Sequence, residues 1–215
     1  VLLRRGRLVV PAAVSPPGRV AVLASGTGSL FQALVEFTRA RASVQVVGLV
    51  CDRSDAGVLV RAERLGVAAV LVPLAAGADR AVWDGQVAAA LQSLQPDLVV
   101  SAGFMRLLGP AVLDAFPDRV VNSHPALLPA FPGAHGVADA LAYGVRVTGC
   151  TIHLVDAGVD TGPVLAQQAV PVHPDDDDGA LHERIKTVER VLLPAVVSDM
   201  LEHGWTVSGR KVTIP

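Results

Sequence analysis

Short apolar runs alternate with amphipathic stretches along most of this chain. Val20–Leu23, Val44–Cys51, Ala69–Val72 and Asp97–Ser101 are rich in aliphatic residues and bounded by Gly, Pro or charged residues. They predict strands buried on both faces. Between them, Ser29–Ala40 carries an apolar stripe at Leu30, Ala33, Leu34 and Phe37, and Val58–Leu65 and Arg80–Leu94 repeat the helical spacing. Strand and helix in strict alternation predict a Rossmann-like α/β fold, a mostly parallel sheet with helices on both faces. Beyond residue 118 the pattern changes. Arg119–Ser123, Val147–Val155 and Val164–Val172 are strand-like, and the last two flank the Asp156–Pro163 loop, which predicts a hairpin and a mixed edge. A long amphipathic helix is expected over Gly179–Glu202, then a small hairpin around Ser208-Gly209. No repeat or linker divides the run, so one domain is expected over residues 19–215. Val1–Gly18, with Arg4, Arg5, Arg7 and a Pro-rich end, is expected to be a poorly ordered extension or a start-site artefact.

Composition narrows the function classes. The chain is 51% hydrophobic but only 4% aromatic, which describes an aliphatic core. A formal net charge of −2 leaves no basic footprint for nucleic acid. No apolar run approaches the roughly 20 residues that a membrane helix needs. Cys51 and Cys150 stand apart without metal-ligand or CxxC spacing, so a reducing, cytoplasmic setting is expected.

The candidate chemistry gathers in Asn122-Ser123-His124-Pro125-Ala126-Leu127-Leu128-Pro129 and in the acidic, Gly-containing loop that holds Asp160. On a strand, alternation aims Asn122 and His124 at one face, and Pro125 then turns the chain out of the sheet. An amide that holds an oxyanion beside a ring that handles a proton is what acyl transfer needs. A carboxylate at Asp160 favours the protonated ring. A second candidate is Ser25-Gly26-Thr27-Gly28-Ser29, a strand-to-helix turn. It reads equally as a single-phosphate site at a helix N-terminus or as a tight turn capped by Thr27 or Ser29. Phe31 breaks the dinucleotide fingerprint, and no Gly-Lys-Ser/Thr follows for a nucleotide loop.

Asn122-x-His124-Pro125-x-Leu127-Leu128-Pro129, Pro132-Gly133-x-His135 and Asp156-x-Gly158-Val159-Asp160-x-Gly162-Pro163 together resemble the phosphoribosylglycinamide formyltransferase family, over about residues 19–200. The resemblance implies formyl transfer from 10-formyltetrahydrofolate, as co-substrate, to the amine of glycinamide ribonucleotide in purine synthesis. It implies Asn122, His124 and Asp160 as catalytic residues. Gly26, Thr27, Gly28, Ser29 and Leu30 would hold the ribonucleotide phosphate, with Lys186 and Glu189 at its ribose or glycinamide end. Met105, Arg106, Leu107 and Leu108 would line the folate pocket with Asn122, the loop Asp156, Ala157, Gly158, Val159 and Asp160 would close it, and Arg80 would stand near the folate tail. Leu30 departs from the family, where Asn is frequent, so phosphate binding is expected to rest on the amides of residues 28–30 and the Ser29 hydroxyl.

His135 and His153 also match family histidines, and a supporting role is implied for both. By spacing alone, Lys186, Glu189 and Arg190 form a solvated helix face, Leu107 packs in part, and Asp175–Asp178 caps the last helix. No metal is expected. The partners expected are small-molecule substrates, without nucleic acid or membrane, in a monomer or homodimer. The rival readings are a 10-formyltetrahydrofolate hydrolase, a methionyl-tRNA formyltransferase with a further basic domain, an oxidoreductase using Asp52 as ribose acceptor, and a folate-binding module without turnover.

Overall fold

The structure, a computed structural model, describes residues 15–215; most of the segment expected to be an extension, residues 1–14, lies outside them. Its centre is a seven-stranded sheet of β1 (Gly18–Ala24), β2 (Val44–Cys51), β3 (Ala69–Leu71), β4 (Leu98–Ser101), β5 (Val120–His124), β6 (Val147–Leu154) and β7 (Val164–Pro171), in the order β3-β2-β1-β4-β5-β6-β7. The first five strands are parallel, and β6 and β7 join antiparallel as the predicted mixed edge. Gly18, the last residue of the expected extension, already pairs with Val44.

Alternation along β1 explains why the sheet is covered twice. Val20, Val22 and Ala24 enter one apolar cluster, and Ala21 and Leu23 enter another. The first is closed by α1 (Ser29–Arg39), α2 (Gly57–Arg64) and α6 (Asp178–His203), the second by α3 (Arg80–Ser93) and α4 (Pro110–Ala115). Apart from Cys51 and Met200, all of these side chains are aliphatic except Phe31, Trp83, Phe104, Phe116 and Trp205, as the composition requires. The chain winds from β1 to β2 and β3, then crosses back to β4 on the other flank of β1. Strand order therefore reverses beside β1, and an open α/β sheet binds ligands in the crevice at such a point.

Most elements begin and end within a residue or two of expectation. One helix, α5 (Gly136–Tyr143), lies where the pattern assigns no element. Glycines frame it at Gly136 and Gly144, and its alanines blur any apolar stripe. The tail folds as the expected hairpin, β8 (Thr206–Ser208) with β9 (Lys211–Thr213). Among the described residues no helix is long and apolar enough to cross a membrane.

Candidate functional site

Asn122 and His124 share a face at the carboxyl end of β5, with Ser123 between them on the other. Antiparallel pairing sets Asn122 against His153 of β6 and His124 against Thr151. The register brings the Asn122 Nδ2 and the His153 Nε2 to 3.2 Å. An imidazole nitrogen without its proton accepts there, so the amide nitrogen side of Asn122 faces His153. The other His153 nitrogen, Nδ1, lies 2.9 Å from the Leu154 carbonyl and donates to it.

Asp160 completes the group from the loop between β6 and β7. Its Oδ2 lies 3.3 Å from His124 Nδ1, and its Oδ1 lies 3.6 Å from His153 Nε2. The Gly133 N–H donates to Oδ2 at 2.7 Å. Asp160 holds a φ of 53°, a left-handed conformation that Asp tolerates better than most residues. The loop enforces that bend from within. Asp156 Oδ1 accepts from the Gly158 N–H at 3.0 Å and from the Thr161 hydroxyl at 2.6 Å. A Cβ on Gly162 would stand 1.7 Å from the Leu154 carbonyl oxygen, so only glycine fits.

Burial alone would raise the Asp160 pKa. The Gly133 N–H and the neighbouring imidazoles outweigh it, and the carboxyl sits below its ordinary value. His124 is nearly buried, and its Nε2 donates to the Phe131 carbonyl at 2.8 Å. Both ring nitrogens thus face acceptors, one a carbonyl and one a carboxylate. Gly136 makes room for this contact: a Cβ there would lie 3.0 Å from the Phe131 oxygen and 3.2 Å from His124 Nε2.

The Gly-rich turn lies two strands away, about 10 Å at the usual strand spacing. Neither Thr27 nor Ser29 caps the helix, so the capped-turn alternative does not hold. Gly28 itself is the N-cap of α1, with φ 80° and no side-chain hydrogen bond to the helix end. A Cβ at Gly28 would strike Val58 at 2.5 Å, so this position needs glycine for space as well as for its dihedral. The uncapped end leaves N–H groups free to meet an anion. Gly26 and Thr27 are exposed, Ser29 and Leu30 half-buried. Arg61, which the pattern does not single out, donates to the Thr27 carbonyl at 2.7 Å and brings a positive charge to the turn.

Two further predicted positions are corrected. Glu189 is buried on α6, where Ser123 donates to its Oε1 at 2.6 Å, so Glu189 is not part of a solvated face. Burial pushes its pKa up, against the Ser123 hydroxyl and the charges of His124, Lys186 and Arg190. Lys186 is half-exposed and lies 3.7 Å from Glu183. Leu107 does not pack: it is 63% exposed, and Met105 is 70% exposed. Arg106 pairs with the buried Asp52 at 2.8 Å, so the acid that an oxidoreductase would offer to a ribose is already held. Arg80 lies on the opposite face from Glu189 and donates to the Leu107 carbonyl. Asp177 caps α6, as the acidic run implied. His135 is exposed at the start of α5 and is not among the partners of Asp160. No group of three metal-ligating side chains gathers among the described residues.

An amide, an imidazole and a carboxylate converging at the carboxyl edge of an open α/β sheet define a group-transfer enzyme of the acyl type. The sequence profile described as "Formyl transferase" matches residues 18–197, and the chain belongs to that family. It is 54% identical over 200 residues to the phosphoribosylglycinamide formyltransferase of Mycobacterium tuberculosis, covering 93% of each chain. It is 36% identical to the enzyme of the same name from Bacillus subtilis, covering 85% of this chain and 94% of that one. Glycinamide ribonucleotide transformylase 1 from Symbiobacterium toebii superposes with a TM-score of 0.89 at 41% identity, covering 95% of each chain.

Proposed function

We propose that this chain transfers the formyl group of 10-formyltetrahydrofolate to the amine of glycinamide ribonucleotide, and that Asn122, His124 and Asp160 carry the reaction. The observation that carries this reading is the approach of Asp160 to both His124 and His153 beside the Asn122 amide. The names of the relatives supply the substrates.

The amine nitrogen attacks the formyl carbon, and the carbonyl oxygen becomes an oxyanion. Asn122 presents to it the Nδ2 hydrogen that is not directed at His153. His124 offers the Nε2–H that now points at the Phe131 carbonyl, and the formyl oxygen takes that carbonyl's place. Each such donor is worth about 3 kcal/mol of transition-state stabilisation. Asp160 accepts the proton lost by the amine and returns it to the folate nitrogen as the bond from that nitrogen to carbon breaks. His153 is a positioning residue in this scheme. As an acceptor at Nε2 it fixes which end of the Asn122 amide faces outward.

The two substrates approach from different sides of the sheet edge. Gly26–Leu30, Lys186 and Glu189 lie toward the α1 and α6 face and receive the ribonucleotide. Met105–Leu108 and Asp156–Asp160 lie toward the other face, with Arg80, and receive the folate. Residues 19–215 act as one formyltransferase domain on this reading, and no metal takes part.

The test is formyl transfer from 10-formyltetrahydrofolate with and without glycinamide ribonucleotide, beside Asp160→Asn and Asn122→Ala proteins. Release of tetrahydrofolate that requires the ribonucleotide and collapses in both variants is the expected result. Release without the ribonucleotide means a hydrolase instead, and a folded Asn122→Ala protein with wild-type turnover removes Asn122 from the scheme.

A further inference from the structure

We propose that the face of α3 formed by Arg80, Trp83 and Asp84 is the device that holds the donor-side loop, residues 104–112, in its working shape, with Asp84 the central positioning residue. This rests on the reading that Met105–Leu108 meets the folate.

The three residues stand at i, i+3 and i+4, so they share one side of the helix. Each grips a different part of the loop. The Trp83 indole stacks on Phe104 with centroids 6.2 Å apart and planes 6° from parallel, and its own Nε1 is anchored to the Val72 carbonyl at 3.0 Å. Arg80 lies 4.5 Å over the Trp83 ring and donates to the Leu107 carbonyl at 2.8 Å. Asp84 Oδ1 accepts from the Gly109 N–H at 2.7 Å, while Oδ2 accepts from Ala111 at 2.8 Å and Val112 at 3.3 Å. Gly109 permits that approach, because a Cβ there would stand 2.6 Å from Asp84 Oδ2.

What the face leaves free is as informative as what it binds. Phe104 and Val112 are buried, but Met105, Arg106 and Leu107 between them are exposed. A stretch that exposes apolar side chains and backbone groups is unstable as an isolated loop. Here it is clamped at both ends and at Leu107. From the opposite side, Ser25 Oγ accepts the Met105 N–H at 3.0 Å. Clamping from behind removes the ordering cost that a ligand would otherwise meet. Asp84 is 4% exposed and points at backbone, so it acts through the loop rather than on a substrate.

Steady-state kinetics and hydrogen exchange of Asp84→Asn test the proposal. Asn keeps one acceptor oxygen and cannot serve both Gly109 and the start of α4. The expected result is about a tenfold rise in KM for 10-formyltetrahydrofolate. The kcat and the KM for glycinamide ribonucleotide stay near wild type, and the amides of residues 109–112 exchange faster. Gly109→Ala, which displaces the carboxylate without altering the sequence of α3, gives the same pattern, and is the variant to read should Asp84→Asn fail to fold. Parallel rises in both KM values, or faster amide exchange with an unchanged donor KM, would overturn the positioning role while leaving the proposed activity intact. Wild-type protein that transfers no formyl group to the ribonucleotide overturns the activity itself, whatever the loop amides do.

Discussion

Asp84 and Asp160 each fasten a loop near the carboxyl edge of the same sheet, yet their surroundings differ. A carboxylate has about four lone-pair positions. In Asp84 three backbone N–H groups fill most of them, and these donors hold their protons throughout the normal pH range. Asp160 receives a single backbone N–H, from Gly133, and turns its remaining positions to two imidazoles. Those partners do exchange protons. The contrast separates a carboxylate that organises backbone from one that is left available for chemistry, and burial runs the same way, with Asp84 buried and Asp160 half-buried.

The widest gap between the two is expected in turnover. Asp160→Asn should lower kcat on the order of 1000-fold, the range for loss of a positioned acid or base. Asp84→Asn should leave kcat near wild type. Equal losses of kcat in the two variants would erase the distinction. Acid titration sharpens it further. The Asp160 pKa is depressed on folding, so its contribution to stability is complete above the unfolded carboxyl value of about 3.9 and disappears as pH falls through the folded value. The difference in Tm between wild type and Asp160→Asn should therefore shrink on acidification from pH 6 to pH 3. A difference that stays constant over that range would contradict the ionised, paired state.

The next effect comes from the loop that carries Asp160. A methyl group on Gly162 cannot coexist with the Leu154 carbonyl, so Gly162→Ala must displace the loop. A displacement of about 1 Å at a reacting group costs roughly 100-fold in rate. The expected outcome is a folded protein whose kcat falls by that order and whose affinity for the ribonucleotide is retained. Wild-type kcat would mean that the Asp160 carboxylate need not be held where the loop sets it.

These contrasts also explain what the sequence could and could not disclose. Asn122, His124 and Asp160 were legible because strand alternation and a hairpin loop are local patterns. Arg80 and Asp84 act on residues 25 to 28 positions further on, and no periodicity reports such a contact. His153 drew notice only through resemblance, since its meaning depends on the cross-strand register that sets it opposite Asn122. Glu189 had a signal that charge spacing obscured. It occupies the same stripe as Leu181, Ile185 and Leu193, all buried, so a charged residue stood at a core position of the helix. The capped-turn alternative at α1 rested on Thr27 and Ser29 being good capping residues by type, whereas Gly28 takes the position through its left-handed φ.

A stability measurement gives the smaller side of the contrast. Asp84→Ala leaves the Gly109, Ala111 and Val112 N–H groups without their acceptor, and loss of such a cap and its bonds costs about 2 kcal/mol. Chemical denaturation should show that loss at neutral pH. Asp160→Asn keeps an oxygen for Gly133 and should lose less. The reverse ranking would make Asp160 the structural residue of the two.

Glu189 tests whether the rule extends to a third carboxylate, and its effect should be the smallest. One hydroxyl, from Ser123, is its hydrogen-bond donor, and burial raises its pKa instead of lowering it. The sign of the linkage is then opposite to that of Asp160. Stability associated with the protonated form is fully present below the unfolded glutamate value of about 4.3 and is lost as pH rises through the folded value. Glu189→Gln mimics the protonated side chain and can still accept from Ser123. Its Tm relative to wild type should therefore increase from pH 4 to pH 7.5, by a few degrees at most. A Tm difference that does not change with pH would mean that a bound positive charge compensates the carboxylate, and Glu189 would then belong with Asp160 rather than between the two aspartates.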